Sequence, residues 1–132
     1  MTYKMKIIKG NLVLKGDTIF KDDIKVEGNI IGDYNLKVCG DIHCWNIDCM
    51  DIVCGDIDCL DIDCLDIDCG NIDCMNINCR NIDCVNINFS AVAIAYCSFK
   101  CKSWKARRDN FIIKCLDGEV EIKDKKEEKL NT

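Results

Sequence analysis

The chain has one histidine, His43, among 132 residues, and only one base, Arg80, between residues 41 and 88. A single imidazole leaves no nucleophile–base pair, and no glycine-rich loop is present to cradle a phosphate, so catalysis is not expected. Zinc is disfavoured as well, because its ligand pairs sit about two to four residues apart and recruit histidine. No metal and no cofactor are expected. No apolar run reaches membrane-spanning length, and Met1 to Ile8 lacks the hydrophobic region of a secretory signal, so the reading is a cytoplasmic protein without membrane contact. The near-absence of Lys and Arg from the middle of the chain removes the groups that bind phosphates, so nucleic acid is not expected as a direct ligand. Ladders of Thr, which a flat ice-binding face would need, are missing too.

What is present is repetition. From Ile42 to Phe89 a five-residue unit recurs, Ile-(Asp/Asn/His/Val)-Cys-x-(Asp/Asn), with Ile42, Ile47, Ile52, Ile57, Ile62, Ile67, Ile72, Ile77, Ile82 and Ile87 on one unbroken count. Neither a helix nor an ordinary sheet has that period. So short a unit cannot bury its apolar side alone and must stack on copies of itself, which predicts a solenoid. Upstream, Leu12, Thr18, Ile24, Ile30 and Leu36 recur every six residues, so one solenoid changes step at residue 42. Within each unit Ile and the residue two places on, Cys44 or Cys49 for example, lie on the same side of an extended segment and face inward. Gly16-Asp17, Gly28-Asn29, Gly40-Asp41, Gly55-Asp56 and Gly70-Asn71 supply corners, where glycine tolerates tight or left-handed turns and Asp or Asn bonds to nearby backbone.

Thirteen cysteines would suit a secreted disulfide framework, but ten of them, from Cys39 to Cys84, sit at every fifth residue. That marks a structural position, a small apolar side chain inside the tube, and reduced thiols. Beyond Cys84 the count predicts Phe89, Ile94, Phe99 and Trp104 at the second inward position, partnered by Ile87, Val92, Cys97 and Lys102. A helix over 90–106 is the alternative, suggested by Ala91, Ala93 and Ala95. Residues 111–122 read as a β-hairpin cap turning at Asp117-Gly118, and 123–132 as a disordered, charged tail.

Units such as Ile62-Asp63-Cys64-Leu65-Asp66 and Cys97-Ser98-Phe99-Lys100-Cys101 make residues 42–106 resemble the pentapeptide-repeat family, with Cys in place of its large central residue and Ile in place of its small one. The resemblance implies a right-handed, four-sided β-helix of about twenty residues per coil, which would stack Cys44, Cys64, Cys84 and Trp104; three-sided coils of about fifteen would also accommodate a five-residue side. The six-residue portion, 12–41, is similar to the coils of bactofilins, which polymerise into filaments. The expected architecture is all-β: a single right-handed β-solenoid over 1–122, with six-residue sides changing to five-residue sides and a C-terminal hairpin cap.

Residues 41–88 hold eleven Asp against Arg80, a net −10, whereas 1–40 come to +2 and 89–132 to +3. Half of the acidic residues are accounted for by corners. Asp48, Asp58, Asp63, Asp68, Asp73 and Asp83 instead sit between inward positions, where folding asks for no charge and like charges cost roughly 1 kcal/mol per pair in water. Some pentapeptide-repeat proteins act as duplex mimics on topoisomerases. The expected function is therefore a non-enzymatic acidic module in which Asp48, Asp51, Asp58, Asp61, Asp63, Asp66, Asp68 and Asp73 dock on a partner protein's basic, nucleic-acid-binding surface and block it. The alternative is a structural solenoid that self-associates through its terminal coils or serves as a rigid spacer.

Overall fold

A five-residue side is too short to pair with itself, so its N–H and C=O groups must bond to the coils before and after it. The computed structural model, which describes residues 5–123, shows this arrangement, with eighteen strands and no helix among the described residues. Accordingly, no helix there is long and apolar enough to cross a membrane.

The strands form three faces, all paired in parallel. The first face stacks Met5–Lys9, Asp23–Glu27, Ile42–His43, Ile57–Asp58, Ile72–Asp73, Asn86–Phe89 and Ser103–Ala106. The second runs from Leu12–Val13 through Ile30–Ile31 and Asn46–Asp48 to Ile112–Cys115, and the third from Thr18–Phe20 through Leu36–Val38 and Asp51–Val53 to Val120–Ile122. Between them, Asp61–Asp68, Asn76–Asp83 and Val92–Cys101 each turn a corner and serve both faces. The result is a three-sided tube of seven coils.

Strand register gives the coil lengths. Ile24 stacks on Lys6 and Ile42 on Ile24, a step of eighteen; Ile42, Ile57, Ile72 and Ile87 then follow at fifteen. The twenty-residue, four-sided coil that the family resemblance implies does not form. Cys44 stacks under Cys59, Cys74 and Phe89 rather than under Cys64, Cys84 and Trp104. Filling explains the difference, since three Ile and three small Cys per coil pack a narrow triangular interior, whereas a wider square tube needs large central residues. Ile47, Ile62, Ile77 and Ile82 are at most 2% exposed.

After Phe89 the five-residue count fails. Ile77 aligns with Ala93 and Ile82 with Phe99, so the coil has gained one residue and then a second, with an irregularity between Cys79 and Asn81. Ala93, Ala95, Phe99 and Cys101 are the buried residues, while Ile94 is partly exposed and Cys97 and Lys102 are exposed. The unbroken count would have turned Lys102 inward, and burying an unpaired ammonium is far costlier than two extra corner residues. Residues 90–106 hold strands, not a helix. Phe89, Trp104 and Phe111 cluster with ring centroids 5.5–6.3 Å apart, Phe89 fully buried and the other two exposed; Trp104, expected at the second inward position, aligns with Ile87 instead.

The expected hairpin is also corrected. Ile112–Cys115 and Val120–Ile122 each pair in parallel with Val92–Cys101 and form two sides of the seventh coil. Lys123, assigned to the tail, is ordered against it: its N–H donates to the Cys101 carbonyl and its Nζ lies 2.7 Å from Asp83. The rest of the expected tail, 124–132, lies outside the described residues.

The corner glycines have a different cause from the one expected. Among the described residues only Gly10 and Gly32 have positive φ. At Gly55 and Gly70 a Cβ would lie 2.5 Å from Oδ1 of Asp41 and Asp56 respectively, so glycine makes room for the carboxylate of the coil below.

Candidate functional site

An Asp or Asn directly before each Ile sits at a corner, where its side chain reaches the next coil. The Asp41 N–H donates to Asp23 Oδ1, the Asp56 N–H to Asp41 Oδ1 and the Asn71 N–H to Asp56 Oδ1, each at 2.8 Å. Asn86 Nδ2 and Ser103 Oγ continue this ladder at 3.1 and 2.6 Å. A second corner runs from Asn11 through Asn29 and Asn46 to Asp61 and Asn76. Such bonds to an ionised acceptor contribute about 1.5–3 kcal/mol each where they are shielded, and less at these exposed corners.

This geometry divides the eight predicted docking residues. Asp51, Asp61 and Asp66 belong to corners. The Asp51 N–H donates to Asn35 Oδ1, and Asp66 accepts from Asn81 and, through both oxygens, from Arg80 at 3.1 and 3.2 Å. The Arg80 hydrogen bond, together with Asn81 and against partial desolvation, holds the Asp66 carboxyl below the usual carboxylate range. At Asp51 the ladder breaks, for its Oδ1 is buried without a partner.

The other five stand at face centres and are exposed, but not on one face. Asp58 and Asp73 are neighbours on the first face, Asp48 and Asp63 on the second, and Asp68 lies on the third beside Asp83. Two are paired: Asp58 with His43 at 3.4 Å and Asp73 with Arg107 at 2.8 Å. Arg107, in the seventh coil, also donates to Ser90 Oγ and the Cys74 carbonyl, tying that coil to the sixth and the fifth. Asp48, Asp63 and Asp68 make no ion pair among the described residues.

Asp48 and Asp63 border a shallow groove of 610 Å³ at the edge between the second and third faces, with Met50, Leu65, Tyr96 and Arg80 opposite. Met50 and Leu65 occupy the x position of the repeat and project from the corner, as do Trp45, Leu60 and Met75 on the neighbouring edge. The sequence reading left that position without a role. Its signal was present in the regular placement of large side chains where a solvated corner needs none.

Ten of the thirteen cysteines are buried and none is disulfide-bonded; Cys54 is intermediate, and Cys39 and Cys97 are exposed. Cys39 was expected inside, but on a six-residue side Val38 takes the second inward place and Cys39 begins the corner. Burial pushes the Cys49, Cys74 and Cys84 thiols up to about 12, with nearby Asp carboxylates adding to it. A hydrogen bond to the stacked thiol, then burial, raises Cys59, Cys64 and Cys69 further. Thiol labelling of the native protein should therefore modify Cys39 and Cys97 rapidly and Cys54 slowly, leaving the other ten protected until denaturant is added. Rapid labelling of ten or more sites without denaturant contradicts the interior assignment.

Among the described residues no group of three or more His, Cys, Asp or Glu is arranged to hold a metal ion. Comparison with protein-family models, with curated proteins and with solved structures gives no match for this chain. The class the fold defines is a three-sided, cysteine-lined β-solenoid.

Proposed function

We propose that the protein is a non-enzymatic acidic interaction module that docks on a partner's basic, nucleic-acid-binding surface and blocks it by partial DNA or RNA mimicry. The observation that carries this reading is the exposure of Asp48, Asp63 and Asp68 at face centres, where their carboxylates make no hydrogen bond or ion pair among the described residues. Coils rise about 4.8 Å, so stacked carboxylates such as Asp48 and Asp63 repeat at a spacing near that of phosphates along a strand. At fifteen residues per coil the belt is about 15 Å long, less than half of a DNA turn of about 34 Å, so it covers part of a groove. The five-residue period is shared with pentapeptide-repeat proteins and is compatible with the same class, although the coils here are three-sided.

Such docking is driven by complementary potentials, so partner capture should fall steeply with salt and compete with added DNA or RNA. Replacing Asp48, Asp58, Asp63 and Asp68 by Asn should lower affinity at least tenfold while Tm stays unchanged or rises slightly, because no corner ladder is touched. Undiminished binding by that variant would refute the proposal.

A second reading, end-to-end assembly, rests on the terminal coils. Ile8, Leu12 and Phe20 at one end and Ile113, Val120 and Ile122 at the other are only partly buried. Met5–Lys9 and Ser103–Ala106 are the outermost strands of their sheet, with one open edge each among the described residues. Against it, Lys6 stands in the interior column beneath Ile24, the kind of inward charge that blunts an edge. Filaments seen by sedimentation and negative-stain imaging would move the function to this reading.

A further inference from the structure

The interior carries a pattern that neither the acidic belt nor the fold demands. Cysteine is one small apolar choice among several, yet it fills the second inward position on all three faces through coils three to five. Stacking makes three ladders: Cys44, Cys59 and Cys74; Cys49, Cys64 and Cys79; and Cys54, Cys69 and Cys84, continued by Cys101. In the second ladder two thiols touch. Cys64 Sγ lies 3.3 Å from Cys79 Sγ, and strand register places Cys59 directly over Cys44 and Cys69 directly over Cys54.

Ladder pitch matches a particular coordination geometry. A metal–thiolate bond is about 2.3 Å, so an ion held in line between two sulfurs sets them about 4.6 Å apart. Coils rise about 4.8 Å. Cys64 and Cys79 stack in register, so giving both side chains the same rotamer sets their sulfurs one coil rise apart and widens the 3.3 Å contact to such a gap. Tetrahedral zinc needs four donors around one point, which stacked columns do not supply, whereas soft thiolates select Cu(I).

We propose that the three thiol ladders bind Cu(I), one ion in each gap between stacked sulfurs. Every Cu(I) that enters forms a bond to the sulfur above and to the sulfur below, and displaces one thiol proton to solvent. Three stacked thiols offer two gaps, so two cations enter, two protons leave, and the middle thiolate bridges both ions. No electron is transferred. Charge inside the tube stays at zero, as an apolar interior requires.

The test uses the full, reduced chain under anaerobic conditions, with Cys39 and Cys97 first alkylated in the native state to remove surface sites. Cu(I), supplied as its acetonitrile complex, is titrated against a bicinchoninate competitor. The alkylated chain should retain at least one ion per ladder, with two sulfur neighbours per copper by X-ray absorption and a raised Tm. The double variant Cys64→Ala, Cys79→Ala should lose the ions of the second ladder and keep those of the other two. Should that variant fail to fold, the alkylated wild-type chain decides alone. Copper left entirely with the chelator, binding abolished by alkylation, or copper with three or more ligands would each overturn the proposal.

Discussion

Raising the pH from about 9 towards 11 unfolds the solenoid, because its buried thiols stay protonated while those of the unfolded chain ionise. The folded-state values of Cys49, Cys74 and Cys84 are raised from 9.0 to about 12, chiefly by burial. For an acid whose folded pKa is raised, stability is complete below the unfolded value and is lost as pH climbs towards the folded one. In that window the folded state binds more protons than the unfolded state, so stability falls by about 1.4 kcal/mol per pH unit for each thiol. These three residues alone give about 4 kcal/mol per pH unit, against a total stability on the order of 5–15 kcal/mol. Cys59, Cys64 and Cys69, raised further still, act in the same direction. Far-UV circular dichroism in the presence of reductant should show cooperative loss of β-structure. Substituting Ala at Cys49, Cys74 and Cys84 should flatten the dependence of Tm on pH even though the cavities lower Tm itself. A Tm that does not change between pH 8 and about 10.5 would exclude neutral, buried thiols.

Phe89→Ala should cost about 3–5 kcal/mol, the range for deleting a fully buried aromatic side chain. Phe89 is 0% exposed and its ring meets both Trp104 and Phe111, so the truncation empties the place where the narrow Ile and Cys columns widen. A solenoid transmits such damage mainly to its neighbours. Hydrogen exchange should lose protection in Asn86–Phe89, Val92–Cys101 and Ser103–Ala106 first, while Ile57–Asp58 and Asp61–Asp68 keep theirs. Trp45→Ala, at a residue 57% exposed, serves as the control and should change stability by no more than about 0.5 kcal/mol. Equal losses from the two substitutions would mean that Phe89 is not part of the tube's packed core.

The alternation of inward and outward residues was legible in the sequence because it is a local property of an extended chain. Ile62, Cys64 and Asp63 could be placed without knowing what stacked on them. The number of sides could not be read from the interior, whose Ile and Cys repeat identically on every face. Only the corners distinguish the faces: Gly40, Gly55 and Gly70, like Trp45, Leu60 and Met75, recur at fifteen and carry the coil length that the interior conceals. Without that length the acidic residues could be sorted into corner and face-centre groups but not onto particular faces, so a belt encircling the tube could not be told from a single acidic stripe. The change of phase after Phe89 was hidden for a different reason. Val92-Ala93-Ile94-Ala95 is apolar in both phases, so alternation there offers no preference until Lys102 must be kept out.

The distinct corners also govern how the chain can change in length. An insertion of fifteen residues between 42 and 86 adds one turn, with glycine again above the carboxylate that needs its space and every later side chain on its former face. An insertion of five would leave Ile over Ile and Cys over Cys, yet it would rotate the remainder of the tube by one face and bring bulky residues such as Leu or Met over the Asp that Gly55 now clears. The interior would accept the smaller step, whereas the Asp41 carboxylate would have to leave the place that Gly55 clears for it, so only whole turns keep every corner as it is.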